Sequence, residues 1–201
     1  SSPAPAVWLA ERITPQQAMD WTGMYSIVEP NQTPSRLLWL RKHRSAEWHA
    51  AQMILQPKDW IVRRLTGRSV TDSNSAFGLY HPSLGQYHPE LLQVLGVEAS
   101  RLPIVLSPTG LAGEVTPEAS STTNLPVGTP VIIGTIDAWC DIIGCGATSP
   151  GQAVDVAGTS EIVALIDRSR DPTHFSVPGD LGIFAALLLE DLYWIGGATQ
   201  M

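Results

Sequence analysis

Proline at the start, and glycine or asparagine at the end, of one short segment after another is the feature that most constrains this 201-residue chain. Proline has no N–H and a fixed φ, so it suits the first turn of a helix. Glycine and asparagine accept the left-handed conformation that closes one. Thr14-Pro15 followed by Thr22-Gly23 predicts a helix, and Thr33-Pro34 predicts a second to about His43 with Leu37, Leu38, Trp39 and Leu40 on its apolar face. Ser45-Ala46-Glu47-Trp48 opens a short third. Residues 57–65 predict a fourth, with Ile61, Val62 and Leu65 on one face and Gly67 closing it. Residues 89–95 ended by Gly96, and 117–123 ended near Asn124, complete the set.

Between and beyond these helices the pattern changes. Residues 6–9 read as a short strand, and 53–55 as another. Residues 24–32 and 68–90 are turn-rich, and 97–110 form an extended connection. The β-branched run 131–136 predicts a strand, after which Asp137 caps a helix to about Gly144. From about residue 152 the reading is antiparallel β: strands over 152–156 and 161–166 flank Gly158-Thr159-Ser160, and 182–189 and 191–195 add two more. This shift places a domain boundary near 150–157.

Composition removes several functions. The chain is 44% hydrophobic and 15% charged, which suits a folded globular protein, and its net charge of −7 implies no nucleic-acid surface. The basic cluster 36–44 is interrupted by Leu37, Leu38, Trp39 and Leu40, as on the solvated face of an amphipathic helix. No apolar run reaches the ~18 residues that span a bilayer, and no signal peptide is visible. Cys140 and Cys145 lack the paired spacing of a zinc site and read as buried free thiols of a reducing cytoplasm. Both ends read as cut, so a fragment is expected.

The chemistry-bearing pattern is strand, Asp137, helix, then the Gly158-Thr159-Ser160 turn. Phosphoryl transfer to an alcohol needs a carboxylate to take the hydroxyl proton, with N–H and hydroxyl donors around the moving phosphoryl group. Asp137 at a strand's carboxyl end suits the first task; Gly134 and Thr135 let backbone approach a ligand, and Gly158, Thr159 and Ser160 suit the second. The same spacing also suits an Asp that only caps a helix and a turn that is only a turn. There is no Gly-Lys-Ser/Thr, so any phosphate site is not a P-loop.

Residues 33–166 resemble the FGGY family of carbohydrate kinases, through pieces that come in family order. These are Leu37-Leu38-Trp39-Leu40; Pro57-Lys58-Asp59-Trp60-Ile61 through Leu65-Thr66-Gly67; Asp72-Ser73-Asn74-Ser75-Ala76; and Leu102-Pro103 with Gly110 and Gly113-Glu114-Val115. Then follow Leu125-Pro126-Val127-Gly128-Thr129-Pro130-Val131, Gly134-Thr135-Ile136-Asp137, Gly144-Cys145-Gly146-Ala147 with Pro150-Gly151, and Gly158-Thr159-Ser160. The resemblance implies an α/β, ribonuclease-H-like (actin/hexokinase-like ATPase) fold, present in part. A helix-rich first domain, residues 1–151, would be the later part of the sugar-binding domain, and 152–201 the beginning of the β-rich nucleotide-binding domain. It implies Asp137 as catalytic base; Gly158, Thr159 and Ser160 at the ATP phosphates; ATP and Mg²⁺ as cofactors; and closure of the two domains on binding. The expected activity is ATP-dependent phosphorylation of a ketose or polyol hydroxyl, of xylulokinase type, in a cytoplasmic protein.

Departures matter. The family's opening Asp-x-Gly-Thr phosphate loop and most of its second domain are absent, so this fragment by itself is expected to be inactive. Val7-Trp8-Leu9-Ala10-Glu11-Arg12 resembles a family Trp-x-Asp-x-Arg strand lining the sugar site, with Ala10 in place of the acid. That makes Arg12 a candidate substrate-binding residue, beside Thr135 and Trp139, the latter as a surface for sugar stacking. Asp141 lies one helical turn after Asp137, and reads either as a partner that raises the base's pKa or as a surface residue. His43, His49, His81, His88 and His174 show no ligand spacing and read as structural or solvated, and no metal-ligating residue is assigned. The tryptophans 8, 21, 39, 48 and 60 read mostly as core. The partner is a sugar or polyol, without nucleic acid or membrane; a homodimer stays open. A sugar-binding or regulatory module that lost catalysis is the alternative, with an actin-like assembly protein behind it.

Overall fold

A computed structural model describes residues 3–23, 27–81, 84–158, 160–169, 184–189 and 191–200. The chain forms two compact units, Ser1–Ile133 and Gly134–Met201.

In the first unit the helix punctuation acts as the sequence indicates. Helix α2 (Pro15–Thr22) opens with a capping box: the Gln17 N–H donates to Thr14 Oγ1 (3.2 Å) and the Thr14 N–H to Gln17 Oε1 (3.0 Å). Helices α3 (Thr33–His43), α4 (Ser45–Ala50), α5 (Pro57–Thr66), α6 (Pro89–Leu95) and α7 (Pro117–Thr123) follow. Thr116 caps α7, and Asn124 closes it at φ 60°. Gly67 closes α5 at φ +76° with open space where a Cβ would project. Gly67→Ala should therefore cost about 1 kcal/mol through backbone strain alone; urea unfolding of the variant measures it.

Three local expectations change. The run 6–9 is helix α1 (Ala4–Ala10), not strand: Pro5, Ala6 and Leu9 are buried while Val7 and Trp8 face outward, a helical spacing that four consecutive apolar residues do not reveal. Residues 53–55 form no strand, although the Ile54 N–H donates to Arg101 O (2.8 Å). On α5 the inward face is Asp59 and Val62, and Ile61 is exposed. The tryptophans divide likewise: Trp21 and Trp48 are core, whereas Trp8, Trp39 and Trp60 are 38%, 36% and 57% exposed.

Short strands tie the first unit together. Strand β1 (Val70–Thr71) pairs in parallel with β4 (Ile104–Val105), while β2 (Tyr80–His81) with β3 (Gln86–Tyr87), and β5 (Leu111–Glu114) with β6 (Pro130–Ile132), are antiparallel. One core gathers Leu9, Trp21, Leu37, Trp48, Leu91 and Leu95; a smaller one joins Val62, Val70, Ala112 and Ile133. The Tyr87 hydroxyl donates to Pro103 O (2.9 Å). Burial first, then the nearby Asp59 carboxylate and Tyr80, hold its pKa well above the ordinary tyrosine value of 10.0. The folded state thus keeps this proton more tightly than the unfolded chain. Its contribution to stability is whole below about pH 10 and declines as pH rises beyond it. Tyr87→Phe should cost about 1 kcal/mol at pH 7 and make the alkaline decline shallower, as chemical unfolding at pH 7 and above pH 10 would read.

In the second unit, α8 (Asp137–Gly144) packs on one face of an antiparallel sheet. The sheet comprises β7 (Ala153–Ala157), β8 (Ser160–Asp167), β9 (Phe184–Leu189) and β10 (Leu192–Gln200), in the order β7-β8-β10-β9. Alternation sets the faces: Ala164 and Ile166 point into the core, and Val163 out. From α8, Trp139 and Ile142, three residues apart, meet Leu188 and Trp194. That choice of face leaves Cys140 and Cys145 exposed rather than buried, which corrects the sequence reading of both thiols.

Candidate active site

The strand leading to Asp137 is shorter than the β-branched run suggests. Strand β6 ends at Ile132, and the Ile133 N–H donates to Gly110 O (3.0 Å). Gly134 then adopts φ +72°, a conformation a β-branched neighbour would resist, and the run leaves the sheet. Thr135 and Ile136 complete a loop to α8. Residues 133–136 thus separate the end of β6 from α8, so Asp137 does not stand directly at the carboxyl end of a strand.

The capping position of α8 is Ile136, which offers no side-chain bond; Asp137 is the first helical residue. Its carboxylate is exposed, with Oδ1 accepting the Ala138 N–H at 2.8 Å. It is not sealed in the core, so an oxygen is available to a ligand hydroxyl. Asp141, one turn on, is exposed as well. Thr135 is half-buried, and its carbonyl receives the Cys140 thiol at 3.8 Å.

Trp139 lies elsewhere. It is 5% exposed, with its ring edge-on to Trp194 at 5.0 Å and 83°. Core packing is its role in this structure, and it offers no open ring face for a sugar, contrary to the stacking reading.

The β7–β8 connection is a tight hairpin: Ala157 pairs with Glu161 and Val156 with Ile162, and Gly158 follows directly on β7. Gly158 is exposed at its tip. Thr159 lies outside the described residues. Ser160 begins β8, with its backbone opposite Gln200. Asp137, Gly158 and Ser160 belong to the same compact unit.

Arg12 belongs to the other unit, just past the end of α1. It is exposed, and its guanidinium sits 4.1 Å from the centre of the Trp8 ring, donating to Trp8 O (3.0 Å) and Glu11 Oε2 (3.2 Å). The expected strand there is a helix end, and Arg12 is occupied with its own helix. Among the histidines, His43 stacks on Trp39 and His88 on Trp21; His49 bonds Ser45 O and His81 accepts the Leu84 N–H. His174 lies outside the described residues.

One charged group has no counterpart in the sequence reading. Lys58 Nζ lies 2.7 Å from Asp59 Oδ1 and 3.0 Å from Asp72 Oδ1, with both carboxylates at most 1% exposed. Both segments stand among the family-like pieces, but nothing local marks their acids as buried partners 13 residues apart; that pairing is tertiary.

Comparison with known proteins agrees with this architecture. Residues 7–144 match the N-terminal domain of the FGGY family of carbohydrate kinases. Autoinducer-2 kinase of Photorhabdus laumondii is 32% identical over 141 residues, which cover 68% of this chain and 27% of that protein. Autoinducer-2 kinase of Escherichia coli K12 is 33% identical over the same length and shares. The chain thus spans about a quarter of the curated relatives it matches. Among solved structures, xylulose kinase from Rhodospirillum rubrum superposes with a TM-score of 0.82 at 23% identity, over 97% of this chain and 39% of that one. Ligand-bound xylulose kinase from Lactobacillus acidophilus gives 0.80 at 25%, over 98% and 39%. The fold is therefore a part of the actin/hexokinase-like ATPase fold, and the chain belongs to the FGGY family of carbohydrate kinases.

Proposed function

We propose that this chain is part of an ATP-dependent kinase that phosphorylates a hydroxyl of a ketose or polyol, with Asp137 as general base. The observation that carries the reading is an exposed carboxylate on the first turn of α8, inside the family-matching segment, with the β7–β8 turn in the same unit. Residues 1–151 would be the later part of the sugar-binding domain and 152–201 the start of the nucleotide-binding domain. Arg12 and Thr135 remain candidates for sugar contacts.

When bound, MgATP supplies the γ-phosphoryl group together with the cation that neutralises its oxygens. The chain's own residues do the rest. Asp137 takes the proton from the acceptor hydroxyl as that oxygen attacks, and orients the hydroxyl beforehand. The exposed tip at Gly158 suits phosphate: glycine permits close backbone approach, and the hydroxyls of Thr159 and Ser160 are of the right type to donate. Mg²⁺ is held largely by phosphate oxygens and water in such sites, and no protein ligand is assigned to it here.

The acceptor is tested by ADP release from the full-length protein over a panel of D-xylulose, D-ribulose, glycerol, gluconate and autoinducer-2. The curated relatives are named for the last of these and the solved neighbours for the first. Turnover with a ketose or polyol supports the reading. Calorimetric sugar binding with no ATP turnover on any acceptor would overturn it in favour of a module that lost catalysis. The isolated 201-residue chain is expected to show no turnover.

A further inference from the structure

Lys58 serves three segments at once. Besides Asp59 Oδ1 and Asp72 Oδ1, its Nζ lies 3.5 Å from the carbonyl oxygen of Ile133. Its ammonium donates to Asp59 Oδ1 and to the Ile133 carbonyl, and pairs with Asp72 Oδ1 by charge. The remaining carboxylate oxygens are used too: Asp59 Oδ2 accepts the Gln56 N–H (3.3 Å) and Asp72 Oδ2 the Asn74 N–H (3.2 Å). The start of α5, the 72–74 turn and the exit of β6 therefore meet at one charge.

Stability alone does not explain such a group. Burying two carboxylates beside a partly buried ammonium costs desolvation, and well-packed apolar residues commonly serve as well or better. An apolar set would not fix a direction, whereas Lys58 engages the carbonyl of Ile133. Ile133 is thereby held by its carbonyl, by its N–H to Gly110 O (3.0 Å) and by its side chain, packed with Val62, Val70 and Ala112. Gly134 comes next at φ +72°, then Thr135 and Ile136, then Asp137. The loop to Asp137 departs from this anchored residue.

We propose that Lys58 is a positioning residue for catalysis: by holding the Ile133 carbonyl together with Asp59 and Asp72, it fixes the root of the 134–136 loop and so the place of the Asp137 carboxylate. The inference rests on Asp137 being the general base. Small displacements of a reacting group are expensive, on the order of 10²-fold in rate for about 1 Å.

The test uses the full-length protein with Lys58→Met/Asp72→Asn, which removes the ammonium and one of its two carboxylates together. The expected result is kcat lower by about tenfold or more, KM for sugar and for ATP little changed, and amide exchange over residues 133–138 faster than in the parent while other segments keep their rates. Unchanged kcat, unchanged exchange over 133–138, or a uniform rise across the chain would overturn the inference. Should the double variant fail to fold, Lys58→Arg keeps the charge but replaces three rotatable donors by a planar fork. The same quantities are then measured, and the same results support or overturn the positioning role. Failure of that role and failure of the base are distinguishable. Unaltered exchange over 133–138 sinks the positioning role whatever Asp137 does, and normal turnover in Asp137→Asn sinks the base whatever Lys58 does.

Discussion

Asp137→Asn in the full-length protein should lower kcat by a factor on the order of 10² or more while leaving its melting temperature nearly unchanged. The two halves of this expectation have separate causes. Asparagine keeps the shape of the side chain and an oxygen for the Ala138 N–H, so α8 starts as before. The parent carboxylate is exposed and supports no core contact, so stability has little to lose. On the proposed reading, what is removed is the acceptor for the hydroxyl proton, which matters only as the phosphoryl group moves. Asp141→Asn is the matched control: equally exposed and one turn along α8, it should leave kcat essentially unaltered if Asp137 alone takes the proton. A steady-state assay beside a thermal melt reads all of these values.

Trp139→Ala should destabilise the protein by about 3–5 kcal/mol, the usual cost of emptying a buried aromatic site. Its ring is 5% exposed and sits edge-on against Trp194, itself fully buried, with Ile142, Ile166 and Leu188 around them. Trp139→Phe retains an aromatic edge and most of the apolar area, so it should recover much of the loss. Its KM for sugar should match that of the parent. A Phe variant with normal unfolding but a raised KM would reverse this assignment and restore Trp139 as a sugar contact.

These residues also mark what sequence can and cannot reveal. Helix ends are legible because their chemistry is local: the Thr14–Gln17 box, Gly67, Gly96 and Asn124 each act within one turn. The hairpin around Gly158 is legible for the same reason. Position 137 stands out by its place before a helix, and its role comes from resemblance. Most of the differences between sequence and structure are tertiary. Residues 6–9 become helix because Pro5, Ala6 and Leu9 find a core. The 131–136 run leaves the sheet at Ile133, since Gly134 turns the chain. The facing of α8, which buries Trp139 and exposes Cys140, is decided by the sheet it packs on. The Lys58 cluster exists only once two segments have folded together.

The role of Asp137 is at bottom a matter of geometry, and a crystal structure of the full-length protein with ADP and its best acceptor would decide it. An Asp137 carboxylate oxygen should stand about 2.6–3.2 Å from one acceptor hydroxyl, with the Gly158–Ser160 turn against a nucleotide phosphate. A different carboxylate on that hydroxyl, with Asp137 facing solvent, would contradict the assignment.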